Sequence, residues 1–149
     1  MSVGNICVRH VFTIGADADV VEAARRMREL HVGFLIVVDP AVGDDLPVGV
    51  LTDRDLVLEV LAQDVDPHAV AVKDIMTPDP LIAREDDELH DTLLRMRAAG
   101  VRRVPVSDDS GKLVGVLSVD DVVGFLNEAV QDLAGAISRE LNVERRLRA

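Results

Sequence analysis

One pattern occurs twice in this chain. The stretch from Asp19 to Asp39 lies over the stretch from Glu88 to Asp108 at a constant offset of 69 residues, so that Met27 falls on Met96, Val32 on Val101 and Val37 on Val106. Further on, Pro47 to Val57 lies over Leu113 to Val123, with the offset shortened to 66. The difference sits between them, where Pro40 to Leu46 is longer than Asp109 to Lys112, and loops absorb such insertions at little cost. A chain of 149 residues is therefore two copies of one unit plus a remainder. Neither copy, at roughly 55 residues, buries much core alone, so the two should pack on each other.

Each copy predicts the same run of elements. A short extended piece (Val11 to Ile14, Leu81 to Ala83) leads into a helix. In the first helix Val20, Ala23, Ala24, Met27 and Leu30 make one apolar stripe on a 3.6-residue period. Asp19, with Glu22 three residues on, predicts its N-cap and a reciprocal partner. Two apolar β runs follow, Phe34 to Val38 and Val48 to Leu51 in the first copy, Arg103 to Val106 and Leu113 to Leu117 in the second. Asp108 to Gly111 supplies turn chemistry between the second pair. A further helix opens at Thr52 or at Ser118, whose hydroxyls suit a helix start. The expected units are repeat 1 over 6–62, a linker over 63–74, repeat 2 over 75–127, and an amphipathic helix over 128–149. In the last, Leu126, Val130, Leu133, Ile137 and Leu141 form a stripe that demands burial on this chain, a second copy or a partner.

Charge and composition narrow the function. Lys and Arg number 16 against 27 Asp and Glu, a net charge of −11, and aromatic residues reach only 2%: Phe12, Phe34 and Phe125. An acidic chain without stacking platforms is poorly suited to nucleic acid. No apolar run is long enough to span a bilayer, and Met1 to Asn5 do not open a secretory signal, so a soluble cytoplasmic protein is expected. Cys7 reads as a small hydrophobe. His10, His31, His68 and His90 are scattered, without metal-site spacing, and read as surface or packing residues. Glu85 to Glu88, just before a helix, favours the positive end of its dipole. No phosphate loop, triad or Cys/His pairing points to catalysis, so a nonenzymatic protein with no required cofactor and no metal is expected.

Gly49-Val-Leu-Thr-Asp-Arg-Asp55 and Gly115-Val-Leu-Ser-Val-Asp-Asp121 share a glycine, two apolar residues, a Thr or Ser, and an Asp three residues later. Together with Asp74-Ile-Met-Thr77, Pro80 and Val101-Arg-Arg-Val-Pro-Val106, they resemble the cystathionine-β-synthase (CBS) domain, over roughly residues 6 to 127. The resemblance implies an α/β (α+β) fold of two pseudo-symmetric βαββα repeats packed together, with two clefts that take AMP, ADP, ATP or S-adenosylmethionine. It also implies regulation of a partner protein and a homodimer. On chemistry, a carboxylate in the first turn of a helix can accept from both ribose hydroxyls, and a Thr or Ser there can meet a phosphate or ribose oxygen; both could also be simple caps.

The family pattern implies unequal clefts. A stronger one is expected from Thr52, Arg54 and Asp55, an adenine slot of Pro80, Leu81 and Ile82, and a phosphate grip of Arg102 and Arg103. A weaker one is expected from Ser118 and Asp121 with Thr13, Ile14, Gly33 and Phe34, where Asp120 opposes an anionic ligand. The chain thus reads as a regulatory module for an adenosine nucleotide that signals to an unidentified protein, with neither nucleic acid nor membrane as partner. The alternative is a structural or interaction protein with degenerate clefts that oligomerises or docks through its C-terminal helix. An enzyme whose catalytic domain was lost, or lies on another chain, is a more remote reading.

Overall fold

The computed structural model describes residues 1–148, and every side chain among them but that of Asp44. Repeat 1 contributes β1 (Thr13–Gly15), α1 (Val20–Leu30), β2 (Phe34–Asp39) and β3 (Gly43–Thr52), then α2 (Asp53–Asp55), which continues as a π-helical turn over Leu56–Leu61. A short α3 (Val72–Ile75) and β4 (Thr77–Pro78) lead to repeat 2: β5 (Ala83–Arg84), α4 (Leu89–Ala99), β6 (Arg103–Ser107), β7 (Leu113–Ser118) and α5 (Val119–Arg148). The sheets run β1-β2-β3-β4 and β5-β6-β7, parallel at the first pair and antiparallel after it. The expected mixed fold of two similar repeats is the observed one. The helices start as the sequence dictates: Asp19 Oδ1 accepts from the Glu22 N–H at 2.7 Å. Both α1 and α4 end on a left-handed residue, Gly100 in one copy and His31, φ 54°, in the other. The long loop of repeat 1 is largely strand: β3 begins at Gly43, and register shifts between Val37 and Asp39 absorb the insertion.

The join between repeats differs from the expected linker. Val72, fully buried, belongs to the repeat 1 core beside Ile14, Ala23, Leu35 and Leu51. Its N–H bonds to the Ala18 carbonyl at 2.8 Å. Val3, in the chain's first turn, sits equally buried in the repeat 2 core beside Ala83, Met96 and Leu117, and its N–H bonds to the Asp87 carbonyl at 2.9 Å. The same exchange recurs in the sheets: Thr77 pairs with Val50, and Val8 bridges Val116. Each repeat is thus completed by the arm that precedes the other.

This explains both motif glycines, because the exchanged arm passes directly over them. A Cβ on Gly49 would lie 2.4 Å from the Met76 sulfur, and one on Gly115 would lie 2.9 Å from the Cys7 sulfur and 3.0 Å from the Val8 carbonyl oxygen. Burial in this crossing raises the Cys7 thiol above its ordinary pKa, as befits a packing residue.

Repeat 2 is also pinned by Asp87. Its Oδ2 accepts from the Arg84 N–H at 3.0 Å and from Arg95 Nη1 at 2.8 Å, while Arg95 Nη2 donates to the Ile82 carbonyl at 2.7 Å. The backbone bond from Arg84 first, and the Arg95 guanidinium second, hold the Asp87 carboxyl below its usual range. A depressed carboxyl contributes stability above its unfolded pKa of about 3.9, which is lost as pH falls through the folded value. Asp87→Asn should therefore lower stability at pH 7 by about 1 kcal/mol and flatten the acid side of a melting-temperature profile below about pH 4. An unchanged acid limb would contradict this assignment.

Candidate functional site

Both repeated motifs form the first turn of a helix. In repeat 1, Thr52 Oγ1 accepts from the Asp55 N–H at 3.2 Å, and Asp55 Oδ2 accepts from the Thr52 N–H at 2.8 Å. In repeat 2, Ser118 Oγ accepts from the Asp121 N–H at 3.1 Å and donates to Asp121 Oδ2. Thr52 and Ser118 are caps, and each carboxylate spends one oxygen on its own cap. The remaining oxygen, Oδ1, can accept from a ligand hydroxyl.

A cleft of about 370 Å³ opens beside the second motif, within the size range of small-molecule sites. Ser118, Asp120 and Asp121 line it on the α5 side. Val8, Val11, Phe12, Val32 and Val116 give it apolar walls, and His10, His31, Gly33, Phe34 and Arg103 complete it. The His10 ring meets Phe12 edge-on, with centroids 4.7 Å apart. Arg103 lies over the Phe34 ring, 6.0 Å from its centroid. Phe34 and Arg103 are repeat equivalents, so both occupy the junction between the copies.

The sequence pattern implies that Arg102 and Arg103 serve the Thr52–Asp55 side. Instead, Arg102 Nη2 lies 3.0 Å from Asp120 Oδ1, Arg103 Nη2 lies 3.8 Å from Asp120 Oδ2, and Arg103 lines the Ser118–Asp121 cleft. Asp120, expected to repel an anion there, is thereby offset. Both pairs are exposed and contribute at most about 1 kcal/mol, so the guanidiniums can change partners. Of the residues expected around Ser118 and Asp121, Gly33 and Phe34 line the same cleft, whereas Thr13 and Ile14 do not. Thr13 pairs with Ile36 in the sheet, and Ile14 is buried in the repeat 1 core. Val11 and Phe12 take their place, as the repeat equivalents of Pro80 and Leu81. On the first side, Arg54 is exposed next to the Thr52–Asp55 cap, and Pro80, Leu81 and Ile82 are half-buried before β5. Leu81 packs on the repeat 2 core.

His10 and His31, read from sequence as surface or packing residues, stand in the cleft wall. At the repeat offset His10 aligns with Asp79 and His31 with Gly100, so the copies share no residue type at these positions that marks a site. Gly33 also has a local cause: a Cβ there would lie 2.5 Å from Asp53 Oδ2, and the Asp53 N–H bonds to the Gly33 carbonyl at 3.1 Å. In repeat 2 this pair is Arg102 and Val119, which leaves room for a long side chain. Among the described residues, no three His, Cys, Asp or Glu side chains converge to hold a metal ion.

Residues 3–62 and 72–128 each match the CBS domain family. The chain belongs to that family. Its CBS pair is 36% identical over 123 residues to an uncharacterized protein of Methanopyrus kandleri, covering 83% of this chain and 61% of that one. The chain thus spans about three fifths of that relative's length. Among solved structures it is similar to a CBS domain protein from Pyrobaculum aerophilum complexed with AMP, with a TM-score of 0.73 and 26% identity over 81% of this chain and 89% of that one. It is likewise similar to the CBS domain pair of protein MJ0100 in complex with 5′-methylthioadenosine and S-adenosyl-L-methionine, with a TM-score of 0.72 and 25% identity over 85% of this chain and 99% of that one. The match to the family ends at residue 128, whereas α5 runs on without a break to Arg148.

Proposed function

We propose that this CBS pair is a nonenzymatic regulatory module that binds an adenosine-containing ligand between its repeats and transmits the occupied state to a partner protein. The cleft beside Ser118 and Asp121 carries the reading, because it sets apolar walls, a carboxylate and a guanidinium around one volume. In this reading the adenine lies among Val11, Phe12 and Val32, the ribose hydroxyls donate to Asp121 Oδ1, and the phosphate or other polar end draws Arg103 away from Asp120. Thr52, Arg54 and Asp55, with Pro80, Leu81 and Ile82, form a second and weaker site, the reverse of the ranking expected from sequence. The reason is that Arg102 and Arg103, at the start of β6, both lean toward Asp120 of α5. The ligands of the AMP-bound and S-adenosyl-L-methionine-bound relatives support the choice of chemical class.

The module is proposed to act in the cytoplasm as a homodimer. Among the described residues no helix is long and apolar enough to cross a membrane. A second reading, an interaction protein that docks through its C-terminal helix, is favoured by one observation: the α5 stripe is uncovered.

Thermal melting with AMP, ADP, ATP and S-adenosylmethionine separates the two. At a hundred times its Kd, a cleft ligand should stabilise the fold by about 2.7 kcal/mol, which for a chain of this size raises the midpoint by roughly 5–10 °C. No shift with any of the four, in a folded sample, would abandon the ligand reading for the interaction one.

A further inference from the structure

We propose that α5 pairs antiparallel with the α5 of a second copy of this chain. This rests on the self-association reading above and assigns it a surface and a direction. The helix has 30 residues, and only its start is held by the body, where Val122 is buried. Val123, Leu126, Val130, Leu133, Ile137 and Leu141 are each 52–66% exposed. Their spacing averages 3.6 residues per turn, so they form one line about 27 Å long on a straight helix. Ala129 and Ala134 flank the line and let a second helix approach closely.

The line is nearly symmetric about residue 132. An antiparallel partner therefore places Val123 against Leu141, Leu126 against Ile137, and Val130 against Leu133, with every residue of the line opposed by another. Charge selects this direction over the parallel one. The first half of α5 carries Asp120, Asp121, Glu128 and Asp132 with no base, while the second half carries Arg139, Arg145, Arg146 and Arg148 against Glu140 and Glu144. Antiparallel pairing sets each acidic half against a basic one and opposes the two helix dipoles. Parallel pairing sets the acidic halves together. Because α5 begins at the Ser118–Asp121 cap, the helix that borders the cleft is also the one that would hold the second copy.

The test is disulfide trapping in the full chain with Cys7→Ser, comparing Leu126→Cys and Ile137→Cys alone and mixed. Antiparallel pairing puts residue 126 of one copy beside residue 137 of the other and keeps the two copies of residue 126 roughly 16 Å apart, too far for a disulfide. The expected result is a mixed disulfide in the mixture and little self-linking by either variant, with light scattering of the parent protein showing a dimer. Self-linking of each variant would overturn the direction. A dimer without any trapping would overturn the α5 surface while leaving self-association intact. A monomer by light scattering would overturn both.

Discussion

Arg103→Ala is expected to raise the Kd for the adenosine ligand by roughly thirty-fold, corresponding to about 2 kcal/mol for one charge-assisted contact to a phosphate. The fold should survive, because Arg103 is nearly half exposed and its partners in the free protein are an exposed carboxylate 3.8 Å away and one face of Phe34. Arg103→Lys separates charge from geometry: it keeps the cation but loses the planar fork, and should restore part of the affinity. Salt supplies a further check, since a contact with a phosphate weakens as ionic strength rises. Titration calorimetry of these variants with AMP makes the measurement, with Arg54→Ala as the comparison for the opposite side. If Arg54→Ala weakens binding while Arg103→Ala leaves it unchanged, the ligand does not use the Ser118–Asp121 cleft, and Arg103 is not the phosphate grip that the sequence pattern implied for the Thr52–Asp55 side either.

The second large effect concerns the exchanged arms. Gly115→Val should destabilise the protein by about 2–3 kcal/mol, the usual range for overpacking, and lower the melting midpoint by roughly 5–10 °C. The added carbon lies 2.9 Å from the Cys7 sulfur and 3.0 Å from the Val8 carbonyl oxygen; the latter is backbone, which cannot yield without breaking the Val8–Val116 bridge. The same movement would draw Val3 toward solvent from a position where it is fully buried. Gly49→Val should act alike in repeat 1 through Met76 and the Thr77 carbonyl oxygen. Gly124→Ala is the control: nothing lies within 4 Å of its added carbon, and alanine in a helix should stabilise by about 0.5–1 kcal/mol. A wild-type midpoint for Gly115→Val would mean that the arm does not cross at this glycine.

These two results bear on different levels of the same molecule. The arms hold the repeats in register, and the register brings Val8, Val11 and Phe12 of one end to Val116, Ser118 and Asp121 of the other. Loosening the arm should therefore weaken ligand binding even where no contact residue has changed.

Much was legible without coordinates, because it depends on local chemistry. The 69-residue offset between Met27 and Met96 placed equivalent helices and strands in both copies. Caps at Asp19, Thr52 and Ser118 follow from a short polar side chain next to free N–H groups, and the structure forms all three. The α5 stripe was visible as a period, although only the structure shows that it is exposed and that none of the described residues covers it. What the sequence could not decide was any partner distant in the chain. Val72 looked like linker because its burial depends on Ala18 and the repeat 1 core. Arg103 was legible as a strand residue with Arg102 just before it, but not the carboxylate of Asp120 that both meet through space. Duplication, caps and amphipathic periods are properties of a few neighbouring residues, and the sequence alone determines them. The exchange of arms, the closing of the cleft and the pairing of its charges arise between segments far apart in the chain, and only the tertiary structure decides them.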